Sequence, residues 1–499
     1  MKTIVLRIVS IVLILSAILL TGWQWLRFSE VRSLFPAGQV IASVPVGGLD
    51  RTQAGERIAA AYQVPVEMSY LGNRIQVGPE TLGFTLRLEE MLAAAEAQWK
   101  ARPSLPAFWD YLWNRTPPVE PVPLDAVTDA NRLTDYLAGE LVSRYDLPPL
   151  AGRPQPPDWS FSAPQDGRGL VLAEAVARVE EALVTLDHRL VELPVAQTAA
   201  PERPVDDLAW LMKHRINRSG FTGVAEVYFE DLQTRETVSF ALQYGSDIEP
   251  GVAFTAASTM KLPIMVATMR REAEPAPEEI GQWFERMIVY SENPPADRLM
   301  ERLDSVRGPL LVTEDLQRLG LENSFIGGYF YLGAPLLQQF TTPANQRTDA
   351  NLAPDVYNQT TPVEMGQLLA AIYDCAQGHP GRFEQAFPGE ISRAECELML
   401  SYLQRNRNGL MLEAGVPEGT LLAHKHGWIE EADGLLHTIS DVGLIQSPGG
   451  DFVLVVYLYD FSQLHFNAAN QMIAELTNTA YNYFNPEAPA AWPFGPTQY

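Results

Sequence analysis

Two cysteines in 499 residues, Cys375 and Cys396, leave no basis for a disulfide-built scaffold, and neither falls in a metal-binding or redox spacing. Basic residues are scarce too: 36 Lys and Arg stand against 61 Asp and Glu, a formal net charge of -25, and no basic cluster follows the first few residues. Such a surface repels phosphate backbones, so nucleic acid is not an expected partner. With 19% charged and 46% hydrophobic residues the chain reads as globular rather than disordered, and its length calls for two or three domains. No cofactor is expected.

One apolar run stands at the N-terminus. From Ile8 to Leu26 the sequence IVSIVLILSAILLTGWQWL carries no charge, and at about 1.5 Å per residue it nearly spans a bilayer's hydrocarbon core. It reads as a membrane helix or a signal peptide. Lys2 and Arg7 precede it, which puts the N-terminus in the cytoplasm and the rest outside. No small-x-small cleavage site follows, no cysteine offers a lipid anchor, and Trp23 and Trp25 suit an interfacial belt, so of the two readings an uncleaved single-pass anchor over residues 1–30 is preferred. Outside the cytoplasm the two cysteines are free to pair with each other; two buried thiols are the alternative.

Beyond the anchor, residues 36–101 contain a Gly47-Gly48 turn and then a helical face of Ala54, Ile58, Ala61 and Tyr62. Val64, Val66, Met68 and Tyr70 alternate as in a half-buried strand, with Ile75 and Val77 as its return partner, which describes a small α+β module. A proline-rich stretch at 102–125 separates it from a second unit over 122–198, where Leu172, Val176, Val179 and Leu183 mark a helix ahead of the alternating RLVELPVAQ. Helix followed by strand thus recurs. The fragments VGGLDRTQAGERIAAAY and DGRGLVLAEAVARVEEAL resemble the peptidoglycan-binding modules found beside cell-wall transpeptidase and vancomycin-resistance-type domains; a plain spacer is the other reading.

After the linker AQTAAPERPVDD comes a large C-terminal domain over 205–485, in which DLAWLMKHRINR reads as a helix and TGVAEVYFEDL and ETVSFAL as paired strands. Three short motifs follow. In FTAASTMKLPIM, Ser258 and Lys261 stand three apart, neighbours on a helix face, where an amine is placed to take the hydroxyl proton. Ser291 and Asn293 lie in SEN, after the amphipathic run IGQWFERMIVY, suited to proton relay and to holding a substrate amide. Lys425 and Gly427 lie in HKHGWI, ahead of the apolar strands HTISDVGLIQS and DFVLVVYLYD: a cation for a substrate carboxylate and a glycine that lets substrate approach the backbone. His424 and His426 flank the lysine without a carboxylate or cysteine nearby, so no metal site is expected.

Serine-x-x-lysine, serine-x-asparagine 33 residues on, and lysine-x-glycine 134 after that match the three-motif signature of the penicillin-recognising serine enzymes, and the domain resembles the class A β-lactamase family. The resemblance implies an α/β (α+β) fold, an antiparallel sheet flanked by helices. It implies Ser258 as acylated nucleophile, Lys261 as proton acceptor and Ser291 as shuttle to the departing nitrogen. Asn293 would contact the substrate amide or Lys261, and Lys425, with His426 and Gly427 beside it, would support Ser291 and the substrate carboxylate. The oxyanion hole falls to the backbone N–H groups of Ser258 and Trp428, of a kind worth about 3–4 kcal/mol each. The implied substrate is a β-lactam or a peptidoglycan-derived peptide, with peptidoglycan itself a further partner.

Two departures matter. His426 stands where the family carries threonine or serine. The loop that holds the family's deacylating glutamate has no glutamate between Asn323 and Thr360; only Asp349 and Asp355 supply carboxylates there, and Asp355 reads as a turn residue. Glu364, three after Thr361, reads as half of a capping box rather than as a base. A slowly hydrolysed acyl-enzyme, as in a D,D-peptidase or penicillin-binding protein, is therefore an alternative to a β-lactamase, and an inert wall-binding protein a third. Cys375 near the end of one helix and Cys396 in the next are expected to form a disulfide, worth about 3 kcal/mol by loop entropy.

Overall fold

The computed structural model describes residues 2–116 and 118–491, so Met1 of the expected anchor lies outside the described residues. The chain forms two compact units, one of residues 1–150 with 165–200 and one of residues 151–164 with 201–499.

The first unit opens with helix α1, Lys2–Arg32, whose one buried side chain is Phe28. It is long and apolar enough to cross a membrane, as are many signal sequences. Helix α2, Arg51–Tyr62, starts at a capping box in which Asp50 accepts the Gln53 N–H and Gln53 answers to the Asp50 N–H, and it buries Ala54, Ile58 and Tyr62. Strands β1, Val66–Tyr70, and β2, Asn73–Val77, form a hairpin, with Val66 opposite Val77. Its two-residue turn, Leu71-Gly72, has both φ angles positive, the conformation that matches strand twist. Helices α3, Leu88–Lys100, α4, Ser104–Leu112, and α5, Leu172–Val184, follow, and then strand β3, Leu190–Glu192.

Strand β3 pairs parallel with β1, Val191 opposite Met68, in a sheet ordered β3-β1-β2. Residues from 36–101 and from 122–198 thus share one sheet and one core, which includes Ile58, Met68, Val179, Leu183 and Val191. This differs from the expected separation into two modules, because the second helix-strand pair supplies an edge of the first pair's sheet. Residues 151–164 differ further: their short hairpin of Pro154–Gln155 with Ser160–Phe161 packs Phe161 against Tyr483 in the second unit.

In the second unit, helix α6, Val205–Arg218, precedes strands β4, Val224–Asp231, β5, Thr237–Gln243, and β6, Ser246–Ile248. Then come helices α7, Lys261–Met269, α8, Asn293–Leu303, α9, Pro362–Gln377, and α10, Arg393–Gln404. Strands β7, Leu421–Glu430, β8, Leu436–Ser447, and β9, Gly450–Tyr459, and helix α11, Phe466–Phe484, complete it. The six strands make one antiparallel sheet ordered β6-β5-β4-β9-β8-β7.

Both faces of this sheet are covered. Every residue of β4 is buried: Val224 and Tyr228 face a core shared with α7, α9 and α10, while Ala225, Val227 and Phe229 face a second core with α6 and α11. The fold is the expected mixed one, with an antiparallel sheet between helices. Cys375 of α9 and Cys396 of α10 are joined by a disulfide, Cα–Cα 5.9 Å. Strand β7 is left at the sheet edge, and it carries HKHGWI in its interior, ahead of β8 and β9.

Candidate active site

The Ser258 turn is built to expose one hydroxyl. Residues 254–265 are buried except for Ser258, which is partly exposed on a 3₁₀ turn, Ala257–Met260, at the head of α7. Ala257, just before it, has a positive φ of 50°, a conformation that a non-glycine residue holds only when its surroundings fix it. Those surroundings are visible: the Ala257 N–H donates to Asn358 Oδ1 at 2.7 Å, and Thr259 Oγ1 lies 2.7 Å from the hydroxyl of Tyr457 on β9. Strand β7 presses on the same turn. A Cβ on Gly427 would meet the Ala256 carbonyl oxygen at 3.0 Å and the Thr259 nitrogen at 3.1 Å, so any side chain there would need the strand or the turn to give by a few tenths of an ångström.

Lys261 is fully buried, with Nζ 2.9 Å from Ser258 Oγ. The same amine donates to the Ser291 carbonyl at 2.6 Å and lies 3.4 Å from Ser291 Oγ. Burial pushes its pKa down to about 7, against the opposing pull of Asp297 and Glu292. A substantial neutral fraction near neutral pH gives the amine a lone pair to accept the Ser258 proton. Ser291 also has a positive φ, 59°. Its hydroxyl receives a second bond from Lys425 Nζ at 2.8 Å, and Lys425, fully buried on β7, has its pKa driven far down by burial and by Lys261. Ser258, Lys261, Ser291 and Lys425, drawn from three segments up to 167 residues apart, thus form one hydrogen-bonded line.

Asn293 is brought less fully into this line. It is exposed at the start of α8, and its side chain makes no hydrogen bond among the described residues, to Lys261 included. His426 is buried, its pKa pushed down to about 2 by burial and by Lys425, and its Nδ1 lies 2.9 Å from Asn408 Nδ2, so the neutral imidazole is the acceptor. Its ring stacks on Trp428, centroids 4.7 Å apart. Its neighbour His424 has a partner the sequence reading did not expect: Asp441 on β8, opposite His426 and diagonal to His424, accepts from Nδ1 at 2.9 Å, while Nε2 is 2.6 Å from the Asn406 carbonyl.

The carboxylates of the 323–364 stretch are committed elsewhere. Asp349 is exposed and paired with Arg347 at 2.6 Å, which holds its pKa low. Asp355 accepts the Tyr357 N–H at 2.9 Å and an Asn358 amide hydrogen at 3.2 Å, an Asx turn that orients the asparagine gripping Ala257. Glu364 accepts from the Asn323 N–H and the Ser324 hydroxyl, at 2.9 and 2.6 Å. Thr361 caps α9 by accepting the Glu364 N–H, but the expected reciprocal bond is replaced by this clamp on 323–324.

Two residues at the site escaped the sequence reading. Asp297, on α8, is buried with a raised pKa, interacts electrostatically with Lys261, and accepts the Phe330 N–H at 2.7 Å. It thereby holds the Phe330 ring with its centroid 5.6 Å from Lys261 Nζ.

With this geometry in view, residues 279–484 match the profile of the beta-lactamase enzyme family. That part of the chain is a β-lactamase-family domain. The matched segment holds Ser291, Asn293 and Lys425 and begins after Ser258 and Lys261, whose assignment rests on the geometry above. Similar solved structures include PBP-A, at 20% identity over 57% of this chain and 98% of that one, TM-score 0.39. An ancestral class A β-lactamase is 22% identical over 55% and 98%, TM-score 0.39. An extended-spectrum β-lactamase is 16% identical over 56% and 99%, TM-score 0.42. Comparison with curated proteins found no match.

Proposed function

We propose that this chain is a membrane-anchored, extracytoplasmic serine hydrolase that opens β-lactams or acyl-D-amino acid amides through an acyl-enzyme on Ser258. The observation that carries the reading is the 2.9 Å contact between Ser258 Oγ and a buried lysine amine whose pKa lies at about 7. Neutral Lys261 takes the hydroxyl proton as Oγ attacks the substrate carbonyl. The C–N bond then breaks, and the proton reaches the leaving nitrogen through Ser291 Oγ, which Lys425 holds in place. The backbone N–H groups of Ser258 and Trp428 serve the oxyanion, and Asn293 the substrate amide. His426 offers a neutral ring beside Lys425, where the related enzymes offer a hydroxyl.

The committed carboxylates of 349, 355 and 364 favour slow release of the acyl group, hence a D,D-peptidase or penicillin-binding protein over a fast β-lactamase. Location outside the cytoplasm is supported by Lys2 and Arg7 ahead of the apolar helix and by the Cys375–Cys396 bond, which persists in oxidising compartments. We assign the first unit to peptidoglycan binding on the strength of its two helix-strand fragments. The test is a fluorescent penicillin offered to the purified full chain. Covalent label on Ser258 supports the proposal, and failure of every acylating probe to label it sinks it.

A further inference from the structure

The proline-rich stretch at 102–125 carries a feature that catalysis does not use. Helix α4 packs on the last apolar turns of α1: the Phe108 ring lies 4.9 Å from Trp25 and 5.3 Å from Phe28, and the Tyr111 hydroxyl is 3.4 Å from Gln24 Oε1. These α1 residues sit where the uncharged run Ile8–Leu26 gives way to Arg27 and Arg32. If α1 crosses a bilayer, that level is the boundary between acyl chains and headgroups.

The opposite side of α4 is apolar and bare. Leu105, Trp109, Leu112 and Trp113, at i, i+4, i+7 and i+8, form one stripe, and Leu105, Trp109 and Trp113 are 74%, 58% and 62% exposed. The Trp109 and Trp113 rings lie 6.2 Å apart. A water-facing stripe of this kind would be costly, whereas tryptophan is favoured where an apolar body meets a polar edge. On the α1 side of α4, charge runs against the rest of the chain: Arg32, Arg102 and Arg115 line one cavity in a protein of net charge -25, with Asp110 bound to Arg102 at 3.2 Å, and Arg27 lies over the Trp23 ring on α1. A 570 Å³ cavity is bounded by α1, α4 and the 34–48 segment and lined in part by Arg32, Arg102 and Arg115, and Arg102 Nη1 has no hydrogen-bond partner among the described residues.

We infer that α4 is an interfacial helix that lies in the outer face of the membrane crossed by α1, with Leu105, Trp109, Leu112 and Trp113 among the acyl-chain ends and the arginines on anionic phospholipid headgroups. This rests on reading α1 as a retained anchor. Trp109→Phe with Trp113→Phe, and separately Trp23→Phe with Trp25→Phe, are made in the full chain and reconstituted in phosphatidylcholine–phosphatidylglycerol vesicles carrying lipids brominated at shallow or deep acyl positions. The fluorescence lost with the 109/113 pair should be quenched at least twofold by shallow bromines, more than by deep ones, and less strongly when phosphatidylglycerol is omitted. Quenching at the 23/25 pair with none at 109/113 overturns this inference and leaves the anchor standing. Absence of quenching at both pairs overturns both, and quenching at 109/113 that ignores phosphatidylglycerol overturns the assignment of the arginines to anionic headgroups.

Discussion

The line from Ser258 to Lys425 and the loop from Asn323 to Glu364 border the same site and differ in what their ionisable groups are free to do. In the first, burial strips Lys261 of its charge preference and leaves it 2.9 Å from a hydroxyl with nothing acidic bonded to it. In the second, each carboxylate already serves structure: Asp349 its arginine, Asp355 an Asx turn, Glu364 the Asn323–Ser324 segment. Acylation therefore has its base in place, while release of the acyl group has none supplied by this loop.

The largest effect is expected at the nucleophile. Ser258→Ala should abolish covalent labelling while thermal unfolding stays put, since the hydroxyl is partly exposed and fills little core. Next comes the base. Lys261→Met should slow acylation by roughly 10²–10⁴-fold. In the wild type the rate should fall about tenfold for each pH unit below a midpoint near 7, because protonation removes the lone pair, and level off above it. A rate that is flat from pH 5 to 9 would show that another group takes the proton.

A smaller loss should follow from moving the strand that leans on the nucleophile turn. Gly427→Ala sets a Cβ within 3.0–3.1 Å of Ala256 and Thr259 backbone atoms, so either β7 or the turn must shift; a displacement of that order costs up to about 10²-fold in rate. Wild-type acylation by the alanine variant would mean that the close approach is not functional. The smallest effects should come from the loop carboxylates. Asp355→Asn keeps an acceptor for the Tyr357 N–H and should change the acyl-enzyme lifetime by less than about tenfold, and Asp349→Asn by nothing measurable, against the ~10²–10⁴-fold of a true general base. A hundredfold longer lifetime in Asp355→Asn would erase the contrast between the two regions.

Much of this was legible from local pattern. The helix carrying Lys261, the strands HTISDVGLIQS and DFVLVVYLYD and the amphipathic helices announce themselves by period and by turn residues, and the three motifs mark Ser258, Ser291 and Lys425 independently of their proximity. What escaped was set by tertiary contact. Nothing local to Asp297 marks it as the carboxylate that holds Phe330 over Lys261, and Asp441 becomes the partner of His424 only through the β7–β8 register. The pairing of β3 with β1 likewise joins segments more than a hundred residues apart, which is why helix-strand repeats read as two modules form one core.

The most direct test is the fate of the acyl group on the full chain. Incubation with a fluorescent penicillin, removal of free probe and peptide mapping over time should show one equivalent on Ser258, formed quickly and lost slowly. An adduct that is hydrolysed as fast as it forms would contradict the account, because it would require a deacylating base that the 323–364 loop does not leave free.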